Sequence, residues 1–104
     1  MSKSPRIVNV NITFRNLAAT DALQKYGEDK LKGCIQKYVH RDTEAHLVLL
    51  VEKNRQIAEV SFHVDGADFK TREESGDMYS SIDSLVATLS GQLRKHKEKI
   101  TSHH

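Results

Sequence analysis

After a short polar start the chain alternates. Val8, Val10, Ile12 and Phe14 are apolar, and Asn9, Asn11 and Thr13 between them are polar. A period of two puts one kind of residue on each face, so this segment predicts a half-covered β-strand. Residues 16–19 supply a turn, Thr20 is placed to cap a helix, and Asp21 suits the positive end of its dipole. From Thr20 to about Tyr38 the period becomes helical. Leu23, Tyr26, Gly27, Leu31, Cys34, Ile35 and Tyr38 fall on one broad side at about 100° per residue. Gly27 and Gly33 each cost this helix about 1 kcal/mol of propensity, and the expected reason for both is close packing of helix on sheet.

Residues 40–44 read as a polar connection. His46 to Glu52 then holds the unbroken run Leu47–Val51, which suits a strand covered on much of both faces and central in its sheet. Lys53-Asn54-Arg55-Gln56 reads as a hairpin connection. Ala58, Val60, Phe62 and Val64 alternate with Glu59, Ser61 and His63 beyond it. Asp65-Gly66 signals a second hairpin, because glycine accepts positive φ. A fourth strand near Ala67–Glu73 turns Phe69 inward and Lys70 and Arg72 outward. Ser75-Gly76-Asp77 opens a last helix with the stripe Ile82, Leu85, Val86, Leu89, Leu93 and Ile100.

The order is β-α-β-β-β-α. Two helices with one apolar stripe each, and strands with mostly one apolar face, predict an α+β fold: a two-layer sandwich with a four-stranded mixed sheet and both helices on one face. The helix between the first two strands makes them parallel, and hairpins make the rest antiparallel. The other sheet face, with Asn9, Asn11, Thr13, Glu59, Ser61, His63, Lys70 and Arg72, is expected to meet solvent or a partner. At 104 residues, without repeats or linkers, the chain predicts one domain over 1–104 with an ordered core of about 6–100.

Composition narrows the function. No apolar run reaches the ~20 residues needed to span a bilayer, and no signal-peptide core follows Met1, so a cytoplasmic protein without a membrane partner is expected. The single cysteine, Cys34, lies on the apolar stripe and reads as a small core residue. Of the six histidines, His103 and His104 are terminal, while His40, His46, His63 and His96 show no metal-ligand spacing. Glu73 and Glu74 are adjacent on a strand and point to opposite faces. No phosphate loop or catalytic constellation is present, so the expectation is a non-enzyme with no cofactor, metal or small-molecule substrate.

Net charge is only +2, from 16 Lys and Arg against 14 Asp and Glu. Distribution changes the picture, because Arg94, Lys95, Lys97 and Lys99 crowd the last helix against Glu98 alone. Lys95 and Lys99 share one side of that helix, with Arg94 and Lys97 on the other flank. On the first helix Lys30 and Lys37 project within about 20° of each other along one margin of the stripe. Two such margins side by side would make a positive groove that tracks a phosphate backbone. The same lysines would equally serve as solvated helix ends that complement the dipole.

Asp77-Met78-Tyr79-Ser80-Ser81-Ile82-Asp83, followed by Gln92-Leu93-Arg94-Lys95-His96-Lys97-Glu98-Lys99, resembles the signature of the ribosome hibernation promoting factor family. That signature runs D-M-Y-x-x-I-D and then Q-L-x-K-H-K-x-K. Asn11-Ile12-Thr13, Lys30-Leu31, Val51-Glu52-Lys53, Ala58-Glu59-Val60 and His63-Val64-Asp65-Gly66 agree in order and spacing, so the resemblance covers nearly the whole chain. It implies a domain similar in outline to double-stranded RNA-binding domains. It also implies a non-covalent silencer that occupies the messenger and transfer RNA channel of the small ribosomal subunit, blocks translation and protects idle ribosomes under stress. The implied partners are the small subunit and its 16S RNA, with Lys30, Lys95, His96, Lys97 and Lys99 in contact with the RNA. The chain most resembles short members, for which a second protein that pairs ribosomes is a further candidate partner.

Three positions depart from the pattern. Gly33, Thr88 and Gly91 stand where the family usually carries basic residues, and Lys32 and Lys37 are the nearest substitutes. Losing phosphate contacts would weaken binding and flatten its salt dependence without touching the fold. The rival reading is a protein-interaction module that captures a partner on the polar sheet face or an edge strand.

Overall fold

The computed structural model describes residues 7–101, with side chains through Glu98. Its elements are β1 (Val8–Arg15), α1 (Asp21–Tyr38), β2 (Thr43–Glu52), β3 (Arg55–Val64), β4 (Ala67–Ser75) and α2 (Met78–Thr101). The strands form one sheet in the order β1-β2-β3-β4. The first pair is parallel and the other two antiparallel.

Local chemistry sets the boundaries. Thr20 is extended, and its Oγ1 accepts from the Leu23 amide at 3.1 Å, which caps α1. Asp77 does the same for α2, accepting from the Ser80 amide at 3.0 Å. The Asp65-Gly66 hairpin has φ of 54° and 77°, a conformation that glycine accepts without strain. The first hairpin is tighter than expected. Only Lys53-Asn54 turn, and Arg55 and Gln56 already pair with Glu52 and Val51. β2 also starts three residues before His46, because the Thr43 amide bonds the Ile7 carbonyl at 2.9 Å and so extends the pairing with β1.

The core lies between the helices and the face of the sheet that carries Ala45, Leu47, Leu49, Ala58, Val60 and Phe62. Each β2 residue of that set is at most 1 % exposed. Gly27 sits directly over Leu47, and a Cβ there would stand 2.9 Å from Leu47 Cδ2, so this glycine does permit close approach. Gly33 does not. It is exposed, and a Cβ there would meet nothing within 4 Å.

The outer sheet face is polar but not uniformly open. Arg72 pairs with Glu59 and Arg55 with Glu74, each at 3.0 Å, and Ile57 between them is fully buried outside the main core. Its register neighbours are Leu50 and Glu74.

Candidate nucleic-acid interface

α1 and α2 lie side by side and run in the same direction. Near their starts the Tyr26 hydroxyl donates to Asp83 Oδ1 at 2.5 Å, and the two rings of Tyr26 and Tyr79 meet edge to face at 4.9 Å. Two turns further along α1, Cys34 Sγ lies 3.1 Å from Ser90 Oγ. One more turn of each helix brings Lys37 level with Arg94. The flank of α1 that carries Tyr26 and Cys34 also carries Lys30 and Lys37, at about 100° per residue. The flank of α2 that carries Asp83 and Ser90 likewise carries Arg94 and Lys97. These four cations therefore border one groove, and all four are exposed.

Lys30 and Lys37 are steadied rather than floating. Each places its ammonium 5.5 Å from the centre of a tyrosine ring, Tyr26 and Tyr38 respectively. The hydrogen bond to Asp83 is the main reason that the Tyr26 hydroxyl titrates above its ordinary value, followed by desolvation. Burial raises the Cys34 thiol, against smaller lowering effects from Ser90 and Lys37. That thiol closes the floor of the groove as a core residue.

The remaining expected residues are placed elsewhere. Lys95 is exposed on the opposite flank of α2, which faces β4 through Thr88 to Glu73 at 2.9 Å and Thr71 to Gln92 at 2.8 Å. His96 turns inward. Its ring packs edge to face on Phe69 at 5.2 Å, and its Nε2 is buried 3.7 Å from Asp65 Oδ2. It supports the helix end rather than presenting a surface contact. The side chain of Lys99 lies outside the described residues, as does that of Ile100, the expected end of the core stripe.

The three departures leave no hole. Gly33 and Gly91 face open space, and Thr88 is bonded to the sheet edge. α1 is one regular helix of 18 residues, so no local shift brings Lys32 to the groove; it points to the flank away from α2. Lys37 does share the groove.

Sequence reasoning missed Arg41. The loop after α1 brings its guanidinium to the same end of the molecule, where it pairs with Asp65 at 2.8 Å. Asp65 thus stands between Arg41 and His96, an acid at the basic end. The order of elements was the available signal, since the loop after α1, the β3–β4 turn and the end of α2 must share one end of the sheet.

Among the described residues, no group of three or more His, Cys, Asp or Glu side chains converges in a way that would hold a metal, and no helix is long and apolar enough to cross a membrane. What the surface can do chemically is bind anions along the groove.

Known proteins share this sequence pattern and fold. A ribosome hibernation promoting factor from Azotobacter vinelandii is 40% identical over 92 residues, 88% of this chain and 85% of that one. One from Escherichia coli is 34% identical over 96 residues, 92% of this chain and all of the other. The crystal structure of the N-terminal domain of Thermus thermophilus Protein Y superposes with a TM-score of 0.76 at 30% identity, covering 86% of this chain and 98% of that domain. A ribosomal subunit interface protein from Coxiella burnetii shares the fold with the same TM-score at 24% identity, over 86% of this chain and 97% of its own. The family model described as Sigma 54 modulation protein / S30EA ribosomal protein matches residues 10–101, nearly the whole of the folded chain, and the protein belongs to that family.

Proposed function

We propose that this protein promotes ribosome hibernation by laying the groove between α1 and α2 along 16S RNA in the messenger and transfer RNA channel of the small subunit. One observation carries the reading. Lys30, Lys37, Arg94 and Lys97, from two separate helices, lie exposed on the facing flanks of those helices. Phosphate oxygens replace the counterions of these cations, and release of those ions drives association. No bond is made or broken; the protein acts by occupying space that initiation requires. Such a role places it in the cytosol with the ribosomes. The names of its relatives support the hibernation role, and the charged groove supports RNA as the surface it meets.

The test is sedimentation of the protein with isolated small subunits over a salt series. The wild type should pellet with subunits at low salt and release as salt rises. Each phosphate contact contributes a slope of about −0.7 to −0.9 in log K against log salt. Lys37→Glu/Arg94→Glu should abolish pelleting, and Lys95→Glu, on the other flank, should weaken it less. A wild type that never pellets at low salt would sink the proposal.

A further inference from the structure

We infer that Tyr79, Asp83 and Lys30 form a subsite for one unpaired nucleobase of the bound RNA, with guanine the preferred base. The inference rests on the proposed contact between the helix groove and RNA, and it names what the RNA presents there. Among the described residues, Ile7 and Tyr79 are the exposed large hydrophobic side chains. Tyr79 is 39% exposed in the first turn of α2, while its neighbours Met78 and Ile82 supply the packing of that turn. An aromatic ring left open beside a cationic groove is what single-stranded RNA uses, because every base has a face to stack.

The ring is held in place. Tyr26 meets it edge to face, and the Tyr26 hydroxyl is tied to Asp83 Oδ1. Lys30 takes up a position over the Tyr26 ring, so Tyr79 is the ring with room for a base.

Asp83 then sets the chemistry. A carboxylate only accepts hydrogen bonds and repels phosphate, so the group beside it must be a donor. Oδ1 accepts the tyrosine hydroxyl and keeps a second lone pair, so both carboxylate oxygens can accept from a ligand. Guanine offers two adjacent donors, N1–H and the N2 amino group, on one edge. Adenine and cytosine offer an amino group, and uracil a single N–H. Lys30 supplies the cation for the phosphate of the same nucleotide.

The test uses eight-nucleotide fluorescein-labelled uridine RNAs in which the central base is G, A, C or U, measured by anisotropy at low salt. The wild type should bind the guanine RNA about tenfold more tightly than all-uridine RNA, the discrimination expected of a paired donor–acceptor contact. Tyr79→Leu should lose about tenfold in affinity for the guanine RNA. Tyr79→Phe should keep it, and Asp83→Asn should erase the order among bases. Equal binding of all four RNAs, unchanged in Tyr79→Leu but still salt-dependent, overturns the subsite and leaves the groove standing. No binding to any RNA at low salt overturns both. A melting curve of each variant identifies any that fails to fold, and Tyr79→Phe and Asp83→Asn, which keep ring and volume, then decide.

Discussion

Gly33 offers a perturbation whose stability and binding effects can be separated. It is exposed in the middle of α1, beside the groove, and any side chain built there meets open space. Replacing a mid-helix glycine by glutamine or arginine gains about 0.7 kcal/mol of helix propensity. Glutamine should realise all of it, which raises the melting temperature by roughly 3–6 °C for a domain of this size. Arginine should realise somewhat less, because Lys30 three residues before it and Lys37 four after repel it while Asp29 four before attracts it. Each such pair is worth about 0.2–0.5 kcal/mol, so the net cost is about one like-charge pair. Gly33→Arg should therefore melt between the wild type and Gly33→Gln at low salt and approach Gly33→Gln as salt screens the charges. Binding should move the opposite way. Gly33→Arg adds a cation to the groove and should steepen the salt slope of small-subunit binding by about 0.7–0.9, whereas Gly33→Gln should leave it unchanged. Gly91 is the control, where an added Cβ also meets nothing within 4 Å and whose position lies about 160° round α2 from the buried Leu89. Gly91→Arg should alter the slope less. Melting curves and sedimentation over a salt series measure both effects. A Gly33→Arg protein that folds but keeps the wild-type slope would refute the groove as the contact surface.

Four further outcomes follow from single contacts. Gly33→Ala should gain about 1 kcal/mol, while Gly27→Ala in the same helix should gain nothing, because its Cβ would press to 2.9 Å from Leu47 Cδ2; urea unfolding compares the two. Thr20→Ala removes the cap on the Leu23 amide and should cost about 1 kcal/mol by the same assay. Burial raises the Cys34 thiol, so at pH 7–8 it should react with a thiol reagent far more slowly in the native than in the urea-unfolded protein. The same shift gives stability that is present below the unfolded thiol pKa and lost as pH rises through the folded one. Asp65→Asn frees Arg41 from its 2.8 Å ion pair, which should tighten small-subunit binding in a salt-sensitive way. The stability cost should stay within about 1 kcal/mol, since the Arg41 side chain is 74% exposed.

Much of the fold could be read from the chain because period and cap agree at each element. Val8 to Phe14 alternates, Thr20 caps, and the stripe from Ile82 to Leu93 faces the sheet, as their order required. Reading failed where a side chain's type hid its direction. Arg55 and Gln56 look like loop residues, yet they are strand residues at the end of a sheet whose outer face tolerates charge. Ile57 falls between the expected hairpin and the alternating run, and it is buried on the outer face, between the charged pairs Arg55–Glu74 and Arg72–Glu59. His96 sits inside a basic run, yet it stands seven residues after Leu89 and so turns toward the inward stripe, where its ring meets Phe69. That periodic signal was present in the sequence. The pairing of Arg41 with Asp65 was not, because it depends on which loops the topology brings together.

The topology also explains why the candidate interface is where it is. β1 and β2 are parallel, so α1 must run back along the sheet. β4 ends at the opposite edge, pointing the same way as β1, so α2 runs back as well. Both helices therefore end together, and cations near a helix C-terminus are locally favourable, each by about 0.3–1 kcal/mol. A chain that does no more than complement its own helix dipoles in this fold concentrates positive charge at one end. That explains why the dipole reading and the RNA reading could not be separated from the lysine positions alone. They separate at the starts of the helices, where the dipole favours anions and needs no aromatic ring. Tyr79 stays open there, and Tyr26 and Asp83 hold it in place, an arrangement that dipole compensation does not require and that a base-binding surface does.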